Sequence, residues 1–300
     1  MVKISNITLE GIFTPLAVPF TEQDDFDPQK MMFNIDKLNQ TGLRGYVVLG
    51  SNGEYVYLNE KEKIEVLKTA RQMIPKNKLM IAGTGCESTQ NTVELTLKAA
   101  EIGADAAIIV NPSYYKNDMT VPILATHYEK IADVSPIPII IYNFPPGTGI
   151  DLSAELLVKL SHHPNIIGVK DTGGMMPKMS ETIRLAAPGF QVLAGSTSFL
   201  FPALAIGAIG GILALANIAP NECVEIYRLF GQGEIAKGRE LHLRMLPVNA
   251  AVTTRFGISG LKAAMNMLGF QGGLPRPPLL PLPEEKIQEL QNILRTGGLL

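Results

Sequence analysis

The sequence has few of the residues that characterise disulfide-stapled, metal-binding or nucleic-acid-binding proteins. It contains two cysteines, Cys86 and Cys223, in 300 residues, and neither belongs to a C-x-x-C pair or to a Cys/His cluster with metal-ligand spacing. Both are predicted to be free thiols in a reducing compartment. The formal net charge is −2 and no run of lysine or arginine is present, so we expect no nucleic-acid partner.

The sequence also lacks a long uninterrupted apolar run. Its N-terminus, M-V-K-I-S-N-I-T-L-E, has no apolar region typical of a secretory signal. The most apolar stretch, residues 199–219, is broken by Pro202, Gly207, Gly210, Gly211 and Asn217. This pattern favours a short helix, a turn and a buried strand over a membrane span. We therefore expect a cytoplasmic protein with no membrane partner, or a mitochondrial matrix protein if a transit peptide is missing from this sequence.

The sequence does contain a two-part unit that repeats eight times, in which a short apolar run precedes a longer segment with helical spacing. The apolar runs are residues 11–20, 45–50, 79–85, 106–110, 138–142, 166–170, 190–195 and 211–216. Such alternation requires parallel strands joined by crossover helices. Eight units, with no G-x-G-x-x-G after the first strand, favour a closed barrel over an open doubly wound sheet.

Beyond residue 220 the repeat stops and only helical patterns remain, at residues 222–230, 236–254, 260–268 and 284–294. The proline-rich run L-P-R-P-P-L-L-P-L-P, residues 274–283, is predicted to be an extended connection fixed to the body of the protein rather than a polyproline ligand. The predicted fold is an α/β TIM (β/α)8 barrel over residues 1–220, with a C-terminal helical extension over residues 221–300.

In such a barrel the reactive side chains are expected at the carboxyl ends of the strands. The sixth apolar run, I-I-G-V, ends in Lys170. A lysine held in apolar surroundings can be neutral near pH 7, and a neutral amine can attack a ketone to form a Schiff base. The alternative is a solvated lysine paired with Asp171.

Three other strand ends carry polar groups. The second run ends in G-S-N-G-E, where Ser51, Asn52 and free backbone N–H groups can cradle a carboxylate, although the same letters are typical of an ordinary turn. The fourth is followed by Tyr114 and Tyr115, which suit interface packing as well as catalysis. The fifth ends in Tyr142, whose phenol could relay protons. The alternative is a tyrosine that is hydrogen-bonded in the core. The four histidines fall within or beside predicted helices, and no cluster of His, Asp and Glu predicts a metal site.

These strand-end motifs resemble those of a known superfamily. G-S-N-G-E, P-S-Y-Y, I-Y-N-F-P followed by T-G, and I-I-G-V-K-D-T-G are similar to the successive signatures of the Schiff-base aldolases and lyases that include dihydrodipicolinate synthase and N-acetylneuraminate lyase. The match covers nearly the whole chain. It implies a TIM barrel with a C-terminal helical extension, a homotetramer built as a dimer of dimers, and no cofactor.

The resemblance also implies a role for individual residues. Lys170 would form the imine with C2 of pyruvate or another 2-oxo acid, and Tyr142 would be the acid/base. Ser51 would pass protons, and Tyr115 would reach into the neighbouring subunit's site. Substrate binding is assigned to Asn52, Thr172, Gly195 and Ser196.

Departures from the family pattern narrow the predicted substrate. In the synthase an arginine after the Y-N-x-P segment grips the carboxylate of aspartate semialdehyde, whereas this chain has Gly147 there. Loss of a bidentate clamp argues against the lysine-biosynthesis reaction. Neuraminate lyases have acidic residues after the seventh strand, whereas this chain has G-S-T-S-F, residues 195–199. The segments V-L-A-G-S, A-L-A-N and residues 247–262 most resemble the 4-hydroxy-2-oxoglutarate aldolases.

The sequence therefore predicts a cofactor-independent aldolase that cleaves a 4-hydroxy-2-oxo acid, with 4-hydroxy-2-oxoglutarate favoured, into pyruvate and an aldehyde such as glyoxylate. The alternatives are an aldolase or dehydratase acting on a 2-oxo-3-deoxy sugar acid and an enzyme like dihydrodipicolinate synthase. A barrel that binds a 2-oxo acid without turnover is a further alternative from another functional class.

Overall fold

The computed structural model describes residues 7–300, in which eight parallel strands form a closed barrel in sequence order, so that β1 also pairs with β8. The strands are β1 (Gly11–Pro15), β2 (Gly45–Val48), β3 (Leu79–Gly83), β4 (Ala106–Val110), β5 (Ile139–Asn143), β6 (Ile166–Asp171), β7 (Gln191–Ala194) and β8 (Gly210–Ile212). The predicted (β/α)8 barrel with a C-terminal helical extension is confirmed. The prediction that no secretory signal is present falls partly on residues 1–6, which lie outside the described residues.

Helices follow the strands and complete the outer layer. They are α1 (Pro28–Asn39), α2 (Glu60–Met73), α3 (Thr89–Ile102), α4 (Val121–Val134), α5 (Pro145–Thr148), α6 (Ala154–Ser161), α7 (Met176–Leu185) and α8 (Leu200–Ala205). Helix α9 (Pro220–Gly231) follows β8 and packs beside β1 and α8, so it is the helix of the eighth unit; it is followed by α10 (Ile235–Ala250), α11 (Gly257–Met267) and α12 (Glu284–Thr296). Side-chain hydrogen bonds cap the N-termini of several helices. At α1 the cap is Asp27, whose carboxylate accepts a hydrogen bond from the Lys30 N–H at 3.0 Å.

The apolar core has two parts because successive strand residues point to opposite faces. The barrel interior contains one residue or more from most strands, including Phe13, Val47, Ile81, Ile108, Ile140, Tyr142, Leu193 and Ile212. The larger part lies between the strands and the helices, and it includes Leu261 of α11 and Leu290 of α12. The extension thus shares the core of the barrel, and the boundary at residue 220 stays a prediction.

Strand β8 ends at Ile212, four residues before the predicted end at Ala216. Residues Ala214–Asn217 form a 3₁₀ turn instead. The buried Asn217 side chain donates to the Pro15 carbonyl at 2.9 Å and accepts from the Ala17 N–H at 3.2 Å. These side-chain bonds replace ladder bonds, and they tie the end of β1 to the turn after β8.

The apolar stretch 199–219 forms α8, β8 and this turn, as its glycines and proline predict. Within residues 7–300 the structure has no helix that is both long enough and apolar enough to cross a membrane. The proline-rich run 274–283 is fixed to the body of the protein. Its Leu274 pairs with Phe20, and its Leu280 carbonyl accepts from the Ser259 hydroxyl at 2.6 Å.

Candidate active site

A β-bulge in β6 places Lys170 inside the barrel. Ile139 of β5 pairs with Ile166, but the next residue, Ile140, pairs with Gly168, so Ile167 is an extra residue in β6. Because side chains alternate, one extra residue reverses the face of everything after it. Without the bulge Lys170 would point toward the helices; with it, Lys170 lies beside Tyr142 in the barrel interior.

Lys170 and Tyr142 are neighbours across β5 and β6, and both are buried, with 5% and 7% of their surfaces exposed. The Lys170 Nζ lies 4.0 Å from the centroid of the Tyr142 ring. The Tyr142 hydroxyl lies 3.4 Å from the Ser51 hydroxyl, at the outer limit of a hydrogen bond. The three predicted residues that would form the imine and move protons are therefore adjacent.

Ser51 begins a tight turn held in an unusual backbone conformation. The turn Ser51–Gly53 is a 3₁₀ helix, and Leu49, two residues before it, and Glu54, directly after it, have positive φ angles of 64° and 53°. Positive φ is uncommon for residues other than glycine, and it costs of order 1–3 kcal/mol where the surroundings enforce it. Gly83 of β3 permits the close approach of the Leu49 carbonyl, which a Cβ at residue 83 would overlap.

A cavity of about 590 Å³ opens beside this group of residues. Its lining includes Ser51, Tyr55, Cys86, Phe144 and Thr148. A narrow recess, which shares Ser51 and Tyr55 with the cavity, continues inward to Tyr142 and Lys170. The recess, of about 10 Å³, thus lies between the lysine and the larger cavity at the carboxyl ends of the strands.

Several residues of this cavity were not predicted from the sequence. The Phe144 ring stacks on Tyr142, with 5.3 Å between centroids and 13° between planes. Tyr55 borders both the cavity and the recess, and burial raises the pKa of its phenol. Burial also raises the pKa of the Cys86 thiol, which disfavours the thiolate needed for nucleophilic attack. The sequence indicated Tyr55 and Phe144 only through their positions, because Tyr55 follows S-N-G-E and Phe144 lies within Y-N-F-P.

The other predicted site residues line neither the cavity nor the recess. Tyr115 is 69% exposed. The Thr172 hydroxyl oxygen is buried without a hydrogen-bond partner among residues 7–300, and it fills the space that a Cβ on Gly195 would need. The Ser196 hydroxyl accepts from the Ser198 N–H at 3.2 Å. Asn52 lies half-buried in the turn after Ser51. Their roles in binding stay predictions.

A polar network outside the barrel holds the ends of β5 and β6. Asn143, the residue after Tyr142, donates to Asp151 at 2.7 Å and to Asp171, the residue after Lys170, at 3.2 Å. Lys178 of α7 forms ion pairs with both carboxylates, and its Nζ lies 3.1 Å from Asp171 Oδ2. Since neighbouring residues on a strand point to opposite faces, this network fixes from outside the backbone that carries Tyr142 and Lys170.

Two of the histidines contact polar side chains away from Lys170. Nδ1 of the buried His127 lies 2.9 Å from the Thr89 hydroxyl, and burial lowers the pKa of this imidazole to about 4. His163 lies 3.1 Å from Asp133. Across residues 7–300 no group of three or more His, Cys, Asp or Glu is arranged to hold a metal ion.

We expect Gly168→Ala to disturb the bulge and with it the lysine. A Cβ at residue 168 would overlap the Gln191 carbonyl oxygen of β7, a backbone atom that cannot move freely. The free energy of unfolding should fall by about 1–3 kcal/mol, and the folded variant should react more slowly with a 2-oxo acid. Denaturant unfolding and mass spectrometry of the reduced imine measure the two effects. Gly231→Ala is the control, because a Cβ there meets nothing within 4 Å; equal behaviour of the two variants would contradict this account of the bulge.

Comparison with known proteins agrees with this geometry. The sequence model described as "Dihydrodipicolinate synthetase family" matches residues 8–296. This chain belongs to that family. As a member it is a carbon–carbon lyase that acts through a lysine Schiff base.

Of seven relatives that are 33–34% identical to this chain, six carry the name 4-hydroxy-tetrahydrodipicolinate synthase and one is a probable 4-hydroxy-2-oxoglutarate aldolase. The chain is 34% identical over 287 residues to a 4-hydroxy-tetrahydrodipicolinate synthase of Methanothrix thermoacetophila, a match that covers 95% of each chain. It is 33% identical over 287 residues to a probable mitochondrial 4-hydroxy-2-oxoglutarate aldolase of Emericella nidulans, covering 94% of this chain and 93% of the relative. Among solved structures, a prophage protein of E. coli K12 from the dihydrodipicolinic acid synthase family, in complex with pyruvate, superposes with a TM-score of 0.92 at 30% identity, covering 98% of this chain and 100% of that one.

Proposed function

We propose that this enzyme is a pyruvate-dependent aldolase that cleaves a 4-hydroxy-2-oxo acid, with 4-hydroxy-2-oxoglutarate as the favoured substrate and Lys170 as the Schiff-base lysine. The observation that carries the proposal is the juxtaposition of Lys170, Tyr142 and Ser51 in a narrow recess beside the cavity. The pyruvate complex of the E. coli family member supports pyruvate as the product that this lysine would bind.

In the proposed reaction the Lys170 amine attacks the C2 ketone and water leaves, which gives a protonated imine. The imine draws the electrons of the C3–C4 bond toward nitrogen as this bond breaks, while Tyr142 takes the proton of the C4 hydroxyl. The aldehyde, glyoxylate for the favoured substrate, departs and leaves an enamine. Protonation at C3 and hydrolysis of the imine then release pyruvate and the free lysine. Ser51 is placed to pass protons between Tyr142 and the cavity.

The segment after Tyr142 favours aldol cleavage over the synthase reaction. At Gly147, where the synthase pattern has arginine, a Cβ would overlap the ring of Phe144. A larger residue therefore requires Phe144 to leave its stacked position on Tyr142. In this conformation the cavity is lined by Phe144 and Gly147 where a guanidinium would bind a second substrate's carboxylate, and the Thr148 hydroxyl is bonded to the Phe144 and Ile150 carbonyls of the same loop.

A 4-hydroxy-tetrahydrodipicolinate synthase is the second candidate, and the names of the relatives support it better than they support the aldolase. Both reactions begin with an imine of a 2-oxo acid on lysine, so trapping the imine does not distinguish them. The identity of the aldehyde distinguishes the two reactions. The synthase condenses bound pyruvate with aspartate semialdehyde, whereas the aldolase releases an aldehyde such as glyoxylate.

The first test is the intact mass of the protein after incubation with pyruvate and borohydride. A reduced pyruvyl adduct is expected, and its absence would overturn the proposal. Purified protein is then assayed for release of pyruvate from 4-hydroxy-2-oxoglutarate and for consumption of aspartate semialdehyde in the presence of pyruvate. Consumption of aspartate semialdehyde, with no release of pyruvate from 4-hydroxy-2-oxoglutarate, would establish the synthase reaction. Water loss from a 2-oxo-3-deoxy sugar acid with its carbon count retained would identify a dehydratase instead.

We further propose that the enzyme assembles as a homotetramer in which Tyr115 enters the neighbouring subunit's cavity. Tyr114 and Tyr115 are 80% and 69% exposed and pack edge to face, with centroids 5.1 Å apart. Exposed aromatic pairs of this kind are typical of interfaces.

Mixed subunits test this role. Tyr115→Ala and Lys170→Ala should each lose activity alone, whereas hybrids formed by mixing and reassembly should regain part of it, because one site then has both native residues. Sedimentation measures the assembly state of each sample. If the two inactive variants assemble into hybrids that stay inactive, Tyr115 does not act across the interface.

A further inference from the structure

The chain has a second deeply buried lysine, which the proposed chemistry does not use. Lys262 of α11 is 1% exposed. Its Nζ lies 2.5 Å from the Glu54 carboxylate, donates to the Leu274 carbonyl at 2.7 Å and lies 4.3 Å from the centroid of the Phe20 ring. Burial lowers the pKa of this ammonium to about 8, a shift that the Glu54 carboxylate opposes. A charge buried to this degree is costly unless its partner is held in place.

The partner, Glu54, ends the turn that contains Ser51. It is 3% exposed and has a φ of 53°, and its N–H donates to the Ser51 carbonyl at 3.1 Å. Such a backbone conformation persists where surrounding contacts enforce it. The contacts of the Glu54 side chain therefore stabilise the unfavourable backbone conformation of this residue. They also fix the C-terminal end of the Ser51–Gly53 turn.

Arg276 completes the attachment from the proline-rich run. Its backbone N–H donates to Glu54 Oε2 at 2.8 Å, and its guanidinium pairs with Glu62 of α2 at 2.7 Å. The guanidinium also lies 4.2 Å from the Phe20 ring, on which Lys262 also rests. Two cations and two carboxylates thus alternate in one group, buried at Lys262 and Glu54 and partly buried at Arg276 and Glu62, which joins the extension to the Ser51–Gly53 turn. The group is neutral overall, so it offers no site for a charged ligand.

We infer that Lys262 is a positioning residue, which holds Glu54 and thereby keeps the Ser51 hydroxyl against Tyr142. This inference rests on the proposed function, since it assigns Lys262 to the proton-transfer geometry of that reaction. Lys262 is not a second imine-forming lysine, because its Nζ faces Glu54 and Leu274 and lines neither the cavity nor the recess. The extension therefore contributes to turnover from outside the barrel.

The test is Lys262→Met, which keeps an unbranched side chain only one atom shorter and removes the ammonium. Active sites are first counted as the fraction of protein that is trapped by pyruvate and borohydride, and turnover is then expressed per trapped site. Loss of the anchor should lower turnover per trapped site about tenfold or more, because small displacements of catalytic groups have effects of this size. The Michaelis constant should rise as well, because the same turn contains Asn52, which is predicted to bind the substrate.

A double variant keeps the test decisive if Lys262→Met does not fold. Glu54→Gln combined with Lys262→Met leaves no unpaired buried charge, so it should fold, and its turnover per trapped site should also fall. Lys286→Met, which removes an exposed pair with Glu289 in α12, is the control expected to match native protein. Native turnover per trapped site in either Lys262 variant would overturn the inference. A native chain that forms no adduct would instead contradict the proposed function, and the two failures are thus distinguishable.

Discussion

Lys170→Ala should abolish the borohydride-trapped pyruvyl adduct and lower turnover by about four orders of magnitude or more. The expected loss is this large because the variant has no amine in the recess that could form the imine. The fold should persist, because alanine removes a buried amine that has no side-chain hydrogen bond or ion pair in the structure, and strand pairing uses only the backbone. The measurements are intact mass after trapping, steady-state turnover and thermal unfolding.

Peptide mapping makes this experiment specific. The adduct on the native chain should lie on the peptide that contains Lys170, and it should be absent from the one that contains Lys262. Lys98→Ala is the matched control, since Lys98 is an exposed lysine paired with Glu60 on the outer helices. An adduct of equal yield in Lys170→Ala would mean that another lysine forms the imine, and the assignment of Lys170 would be abandoned.

Tyr142→Phe should lower turnover by about 10²–10⁴-fold, the usual contribution of a positioned acid/base. The ring remains, so its stacking on Phe144 and its contact with the Lys170 Nζ should remain as well. Only the hydroxyl next to Ser51 is lost. The adduct should therefore still form when the reaction is given enough time, whereas its rate of formation and the rate of aldol cleavage should both fall. Rapid-quench trapping and steady-state assays separate these rates.

Tyr46→Phe is the matched control for this variant. Tyr46 lies on β2, is fully buried, and its hydroxyl donates to the Asn39 side chain at 2.6 Å outside the barrel interior. Its loss should cost about 1 kcal/mol of stability and leave turnover unchanged. If Tyr142→Phe behaves like Tyr46→Phe, with lower stability and native turnover, Tyr142 has only a packing role.

The barrel could be predicted from the sequence because its signals are local and repeated. Each apolar run is short, each following helix has an amphipathic pattern, and caps such as Asp27 before Pro28 mark where helices begin. Placing Lys170, Tyr142 and Ser51 together then needed only the rule that the carboxyl ends of barrel strands meet at one mouth.

What the sequence did not show depends on contacts between distant segments. The I-I-G-V-K run predicts a strand that ends in a lysine, yet the bulge that turns this lysine inward is set by pairing with β5 and by the space that Gly168 leaves for Gln191. In the same way, the sequence around Lys262 shows only a lysine in an amphipathic helical pattern. Its partner, Glu54, lies more than two hundred positions earlier in the chain, so the ion pair cannot be predicted from local sequence.

Closure of the barrel has a consequence for synthesis of the protein. The partner of β1 is β8, and Asn217 bonds to the backbone at Pro15 and Ala17, so the first strand has its second neighbour only after about two hundred more residues have been made. The turn at Glu54 receives its partners later still, from residues 262 and 276. During translation the free edge of β1 consequently stays unpaired until β8 has been made. An unpaired strand edge is prone to association with other chains. If Lys262 positions the catalytic serine as inferred above, catalytic competence is acquired only after residues 262 and 276 have been made.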